Sequence, residues 1–205
     1  MAARKAAQPD DLWQSFKRQG IQQAVIQLMC REGLPSVTMD RVAQEAGIAK
    51  GTIYLHYKDK QELLDDVKNS SLDPMVTRMD EVFTSDAAPD RKLATYSLRY
   101  LRYFDERRDL FRILLYEREV TRVQSARYQS SRYRHLVDQT ARIIRDGIKQ
   151  KMFRPVDDRS VATMFVEANL AMMNQRLTTD SPRPLEEDAE LISDLFIRGL
   201  KRGRS

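Results

Sequence analysis

From Lys50 to Tyr57 the sequence reads Lys-Gly-Thr-Ile-Tyr-Leu-His-Tyr. On a helix, Ile53 and Tyr57 stand four residues apart on one side. Lys50, Gly51, Thr52, Tyr54, Leu55 and His56 are left on the outer and flanking sides. Those groups suit a polyanion and its bases. Lys50 offers donors to a phosphate or to guanine O6 and N7. Gly51 has no side chain, so a backbone or base edge can come close. Thr52 donates or accepts, and its methyl can meet a thymine methyl. Tyr54, His56 and Tyr57 can donate to phosphate oxygens, where most protein–DNA hydrogen bonds go. Thr38 and Lys60 open the flanking helices, which places them to hold phosphates.

Such a surface needs a scaffold. Thr38 caps a helix expected over Met39–Ala46, Gly47 ends it, and a second short helix follows over Lys50–Tyr57. Two short helices joined by a glycine turn form the helix-turn-helix pattern. The pair cannot bury its own apolar side, so Val42, Ala43, Ala46, Ile48 and Ile53 require a third helix. A helix from Asp10 or Asp11 to Glu32 supplies it, with Ile21, Ala24, Val25, Leu28 and Met29 on one face and Gly33 at its carboxyl end. Cys30, beside Met29, reads as a buried structural thiol. Asp59 and Glu62 have capping-box spacing and open a longer helix, which Pro74 should kink or restart.

Beyond residue 89 the pattern stays helical. Leu93, Tyr96, Ser97, Tyr100, Leu101 and Phe104 mark one face. A polar helix is expected over 119–151, another from Asp157 or Asp158, and a last one over Leu185–Lys201. No alternating β-branched run exists. The fold class is all-α, with about nine helices. A helix-turn-helix domain is expected over 1–60 and a larger helical domain over 61–205.

Composition narrows the classes. The chain has 205 residues, 41% hydrophobic and 32% charged, with a formal charge of +5. That is too apolar for disorder, and no stretch approaches the roughly 20 apolar residues that span a bilayer. The basic start lacks a following apolar segment, so a cytoplasmic, membrane-free protein is expected. One cysteine and two histidines leave no zinc-ligand set, and no metal or cofactor is expected. No phosphate loop, dinucleotide fingerprint, H-E-x-x-H or G-x-S-x-G occurs, which argues against an enzyme.

The string Val37-Thr38, Val42-Ala43, Ala46-Gly47-Ile48, Lys50-Gly51-Thr52-Ile53-Tyr54, Tyr57-Lys58, Lys60 and Glu62-Leu63-Leu64 resembles the DNA-binding domain of the TetR/AcrR family of bacterial transcriptional regulators. The resemblance implies a homodimer that binds palindromic operator DNA, usually as a repressor, and is released by a small-molecule effector. Carried over by motif position, base and groove contacts fall on Ala49, Lys50, Gly51, Thr52, Tyr54 and His56. Phosphate contacts fall on Thr38, Arg41, Tyr57 and Lys60.

The same resemblance places dimerisation on the last two helices, Asp158–Leu177 and Leu185–Lys201, where Ala168, Ala171 and Gly199 would allow close approach. Tyr96, Tyr100, Phe104, Phe111, Met164, Phe165 and Met172 could line a site for an apolar or amphipathic effector. Aromatic and Met stripes at this spacing are also what an ordinary core requires. Asn169, polar within an apolar helix, could orient a ligand, bond across a dimer or cap local backbone. Ten arginines between Arg99 and Arg134 face five acids. They read either as a solvated face of local ion pairs or as an attraction for an anionic effector such as an acyl-CoA. The rival to DNA binding is a helical protein-interaction module, which would not need the outward Lys50-Gly51-Thr52 surface.

Overall fold

The computed structural model describes residues 9–108, 131–179 and 183–201. They form eight α-helices and no strand: α1 (Pro9–Glu32), α2 (Met39–Glu45), α3 (Lys50–His56), α4 (Lys60–Thr84), α5 (Pro89–Asp105), α6 (Ser131–Lys149), α7 (Asp158–Thr179) and α8 (Leu185–Leu200). None of these is long and apolar enough to cross a membrane. The chain divides into two compact units, residues 1–71 and 72–205.

In the first unit α1 forms the bed. Ile21, Ala24, Val25 and Leu28 are buried, and Val37, Val42, Ala43, Ile53 and Leu63 close over them. Gly33 has φ 79° and turns the chain into a single 3₁₀ turn over Leu34–Ser36. The Thr38 hydroxyl accepts from the Arg41 amide (3.2 Å) and so caps α2. Gly47, at φ 66°, reverses the chain between α2 and α3, and the Ile48 amide closes the turn on the Ala43 carbonyl (3.0 Å). At the start of α4, Asp59 accepts from the Glu62 amide (2.9 Å), while the Glu62 carboxylate reaches the Lys58 amide (2.8 Å), one residue earlier than a reciprocal box requires. The unit extends to Ser71 because Leu63, Leu64, Asp66 and Val67 of α4 are buried in it.

Helix α4 runs through Pro74 without restarting. Proline removes one amide donor there, and the burial of Met75, Met79 and Val82 holds the helix in register beyond it. Cys30 is exposed rather than buried. It stands one residue past the Leu28/Met29 face, where α1 has turned to solvent.

The core of the second unit is built on Met79, Leu93, Tyr96, Leu101, Phe104, Leu136, Ile144, Phe153, Phe165 and Met173. After α6 the chain reverses at Lys151 (φ 59°) and folds Phe153 back over Gly147. The Arg154 amide donates to the Leu200 carbonyl (2.8 Å), tying this turn to the end of α8. Helix α7 buries Ala162, Phe165, Val166, Asn169, Met173 and Leu177. Helical spacing predicts a face of Val161, Met164, Phe165, Ala168, Ala171 and Met172; of these Phe165 is buried, Val161, Ala168 and Met172 are half-buried, and Met164 and Ala171 are exposed. α7 is apolar around most of its circumference, so spacing alone does not select its inner side.

Candidate nucleic-acid interface

α3 is held from below by Ile53, which is fully buried. Its opposite side is open: Lys50, Gly51, Tyr54 and Leu55 are exposed, and Thr52 and His56 are half-buried. Ala49, at the N-cap, and Thr38, ahead of α2, are exposed as well. The expected base-contact residues therefore share one accessible surface. It carries ammonium, hydroxyl, phenol and imidazole groups within a single seven-residue helix and its cap.

The cations around this surface have partners in their own chain. The Lys50 ammonium lies 2.7 Å from Asp40 Oδ1, and this raises its pKa. The Arg41 guanidinium lies 2.7 Å from a Glu32 carboxylate oxygen. Two arginines, Arg41 first and then Arg31, hold the Glu32 carboxyl down at about 2. Arg31 also makes two parallel bonds to Glu45, of 2.9 and 3.1 Å. The Lys60 ammonium donates to the Leu34 carbonyl (3.2 Å). It thereby ties the start of α4 to the 3₁₀ turn.

Tyr57 is a correction. Its ring is buried as the Ile53/Tyr57 spacing requires, but its hydroxyl points inward and donates to Asp66 Oδ2 (2.6 Å). It does not face a phosphate. Asp66 also accepts from Gln22 Nε2 (2.8 Å) and from two nitrogens of Arg18, with Arg18 Nε at 2.9 Å. Chiefly because of Arg18, the Asp66 carboxyl is held at about 2, while burial and Asp66 push the Tyr57 phenol up. This four-residue network joins α1, the end of α3 and α4. Sequence reasoning missed it. The available signal was Asp66 itself, an acid between Leu63 and Val67 on the buried side of α4.

In the second unit, Tyr96, Tyr100, Phe104 and Phe165 are brought together and buried. Tyr96 stacks on Tyr100 with centroids 5.8 Å apart and packs against Phe165 at 5.3 Å, while Tyr100 meets Phe104 at 5.0 Å. Met172 is half-buried. Met164 is 55% exposed and points away from this cluster, because it lies on the outer side of α7. Phe111 lies outside the described residues. The Asn169 amide nitrogen donates to the Phe165 carbonyl (2.9 Å), the local backbone role among its three readings. Tyr96 Oη, Ser97 Oγ, Thr140 Oγ1 and Asn169 Oδ1 are buried with no hydrogen-bond partner among the described residues. Among the described arginines of the 99–134 stretch, Arg99 pairs with Glu81, Arg102 with Glu186 and Arg132 with Asp73, each across to another helix. Leu191 and Leu195 of α8 are exposed, as is Met164 of α7. Spacing predicts Leu185, Ile192, Leu195, Phe196 and Gly199 on one side of α8; Leu185 and Ile192 are buried there and Leu195 is exposed.

Residues 21–67 match the model of bacterial regulatory proteins of the tetR family. An HTH-type transcriptional regulator of Staphylococcus aureus (strain bovine RF122 / ET3-1) is 32% identical over 121 residues, 59% of this chain and 63% of that protein. The chain thus spans under two thirds of that relative. Among solved structures, FadR from Bacillus subtilis in complex with stearoyl-CoA superposes with a TM-score of 0.73 at 19% identity, covering 89% of this chain and 98% of that one. SmeT, the repressor of the Stenotrophomonas maltophilia multidrug efflux pump SmeDEF, gives a TM-score of 0.75 at 20% identity and covers 90% of each chain. These two likenesses establish the fold. Over residues 21–67 the amino-terminal domain thus matches the tetR family of bacterial regulatory proteins.

Proposed function

We propose that this protein is a ligand-responsive transcriptional repressor that binds palindromic operator DNA as a homodimer and leaves it when a small effector binds the second unit. The observation that carries the reading is the accessible side of α3, backed by fully buried Ile53. Base and groove contacts are assigned to Ala49, Lys50, Gly51, Thr52, Tyr54 and His56. Phosphate contacts are assigned to Thr38, Arg41 and Lys60.

The dimer is assigned to α7 and α8. Leu191 and Leu195, exposed four residues apart on α8, and exposed Met164 on α7 support this, since large apolar side chains left on outer helix faces mark an interaction surface. Two-fold symmetry would set two α3 helices against half-sites about 34–36 Å apart. The effector site is assigned to the helices bearing Tyr96, Tyr100, Phe104, Phe165 and Met172. The unpartnered polar atoms of Tyr96 and Asn169 favour an amphipathic over a purely apolar effector, because an orphaned buried polar group is costly until a partner meets it. The similar FadR structure holds stearoyl-CoA, and SmeT is a repressor. Both fit this assignment.

The test is selection of bound sites from random duplex DNA by the purified chain, followed by challenge of the complex with fractionated metabolites. A two-fold palindrome, released by one fraction, supports the reading. Recovery of no common sequence rejects it.

A further inference from the structure

Asp40 is the second residue of α2 and Lys50 the first of α3. The Gly47 turn brings them together, with the Lys50 ammonium 2.7 Å from Asp40 Oδ1 and 2.8 Å from Oδ2. The side chains are 61% and 62% exposed, so burial does not force the pairing. An exposed pair of this kind adds little to folding. Its location is what matters, because it stands on the surface assigned above to DNA. A carboxylate there would repel phosphate unless a cation covers it.

An ammonium has three donors and a carboxylate engages only part of them. Paired with Asp40, Lys50 is part of a neutral unit. A phosphate brought to that unit meets Asp40 as well as Lys50 and gains no net attraction. The O6 and N7 atoms of guanine are uncharged acceptors, so they can take the remaining donors without like-charge repulsion. The pairing therefore separates two partners that a solitary lysine would bind alike.

We infer that Asp40 is a positioning and specificity-determining residue: it neutralises and orients Lys50 so that the ammonium donates to a base edge rather than to a phosphate. The inference rests on the reading of α3 as the helix that faces DNA.

Asp40→Asn frees Lys50 to act as a plain cation. The measurement is binding of the wild-type chain and variants, across a salt series, to a duplex selected by the wild-type chain and to the same duplex scrambled. Asp40→Asn is expected to bind the scrambled duplex more tightly. Its log–log salt slope there should be steeper by about 0.9, so that the gain shrinks about threefold between about 50 and 200 mM salt. Selected-over-scrambled preference falls. Asp40→Glu, which keeps the charge, retains the wild-type slope, and in a Lys50→Gln background Asp40→Asn leaves the slope unchanged. An unaltered slope for Asp40→Asn on scrambled DNA, or the same change with and without Lys50, overturns the inference while leaving the DNA-binding reading intact. Failure of the wild-type chain to bind any duplex overturns both.

Discussion

Replacing Asp66 by Asn tests the network beneath α3 with little change of shape. The carboxyl is held at about 2 against an ordinary 3.8, mainly by Arg18. That difference corresponds to about 2 kcal/mol favouring the folded, ionised form. Arg18 is 57% exposed, so solvent screening trims the expectation to about 1–2 kcal/mol. Because the folded-state value is depressed, the contribution is complete above about pH 4 and disappears as pH falls toward about 2. Asp66→Asn should therefore unfold more easily than the wild type by about 1–2 kcal/mol at pH 6. The gap should close on acidification through that window. Urea titrations at a series of pH values, followed by the fluorescence of Trp13, the chain's only tryptophan, measure this. Trp13 lies in the same unit. A gap of the same size at pH 6 and near pH 2.5 would refute the assignment of Asp66 as an ionised hub.

Lys60→Ala should weaken binding equally on every duplex and flatten the salt slope by about 0.9, whereas Thr52→Ala should change preference at one base pair by about 1–3 kcal/mol; competition assays against single-base variants of a selected site separate the two. Gly147→Ala should destabilise the second unit by about 1–3 kcal/mol, read as a lowered melting temperature. A Cβ there would stand 2.2 Å from Phe153 Cδ2, and Phe153 is fully buried, so the ring cannot swing aside freely. Leu195→Glu places a charge on the outer face of α8 and should convert the dimer proposed through α7 and α8 to monomer in sedimentation experiments, with loss of binding to a palindrome but not of helical content.

The first unit was largely legible because its signals are local. Gly47 at a left-handed turn, Thr38 as a cap and the burial of Val42, Ala43 and Ile53 follow from residue type and spacing. Tyr57 shows where local reading stops. Spacing placed its ring on the inner side, but only the fold could show Asp66 waiting nine residues later for its hydroxyl. The pairing of Asp40 with Lys50 was hidden for the same reason, since it depends on the angle at which two short helices meet. In the second unit α7 defeated periodicity: with apolar residues on nearly every side, Val161, Met164 and Ala168 compete with Ala162, Phe165 and Val166 for the inner face. Only packing against α6 and α5 decides between them.

The central claim, that the accessible side of α3 faces duplex DNA, is tested most directly by amide hydrogen exchange of the full chain with and without a selected duplex at modest ionic strength. Slowed exchange concentrated in Ala49–Tyr57 and around Thr38–Arg41, with α7 and α8 unchanged, is the predicted result. Slowed exchange elsewhere with α3 unaffected would contradict the account.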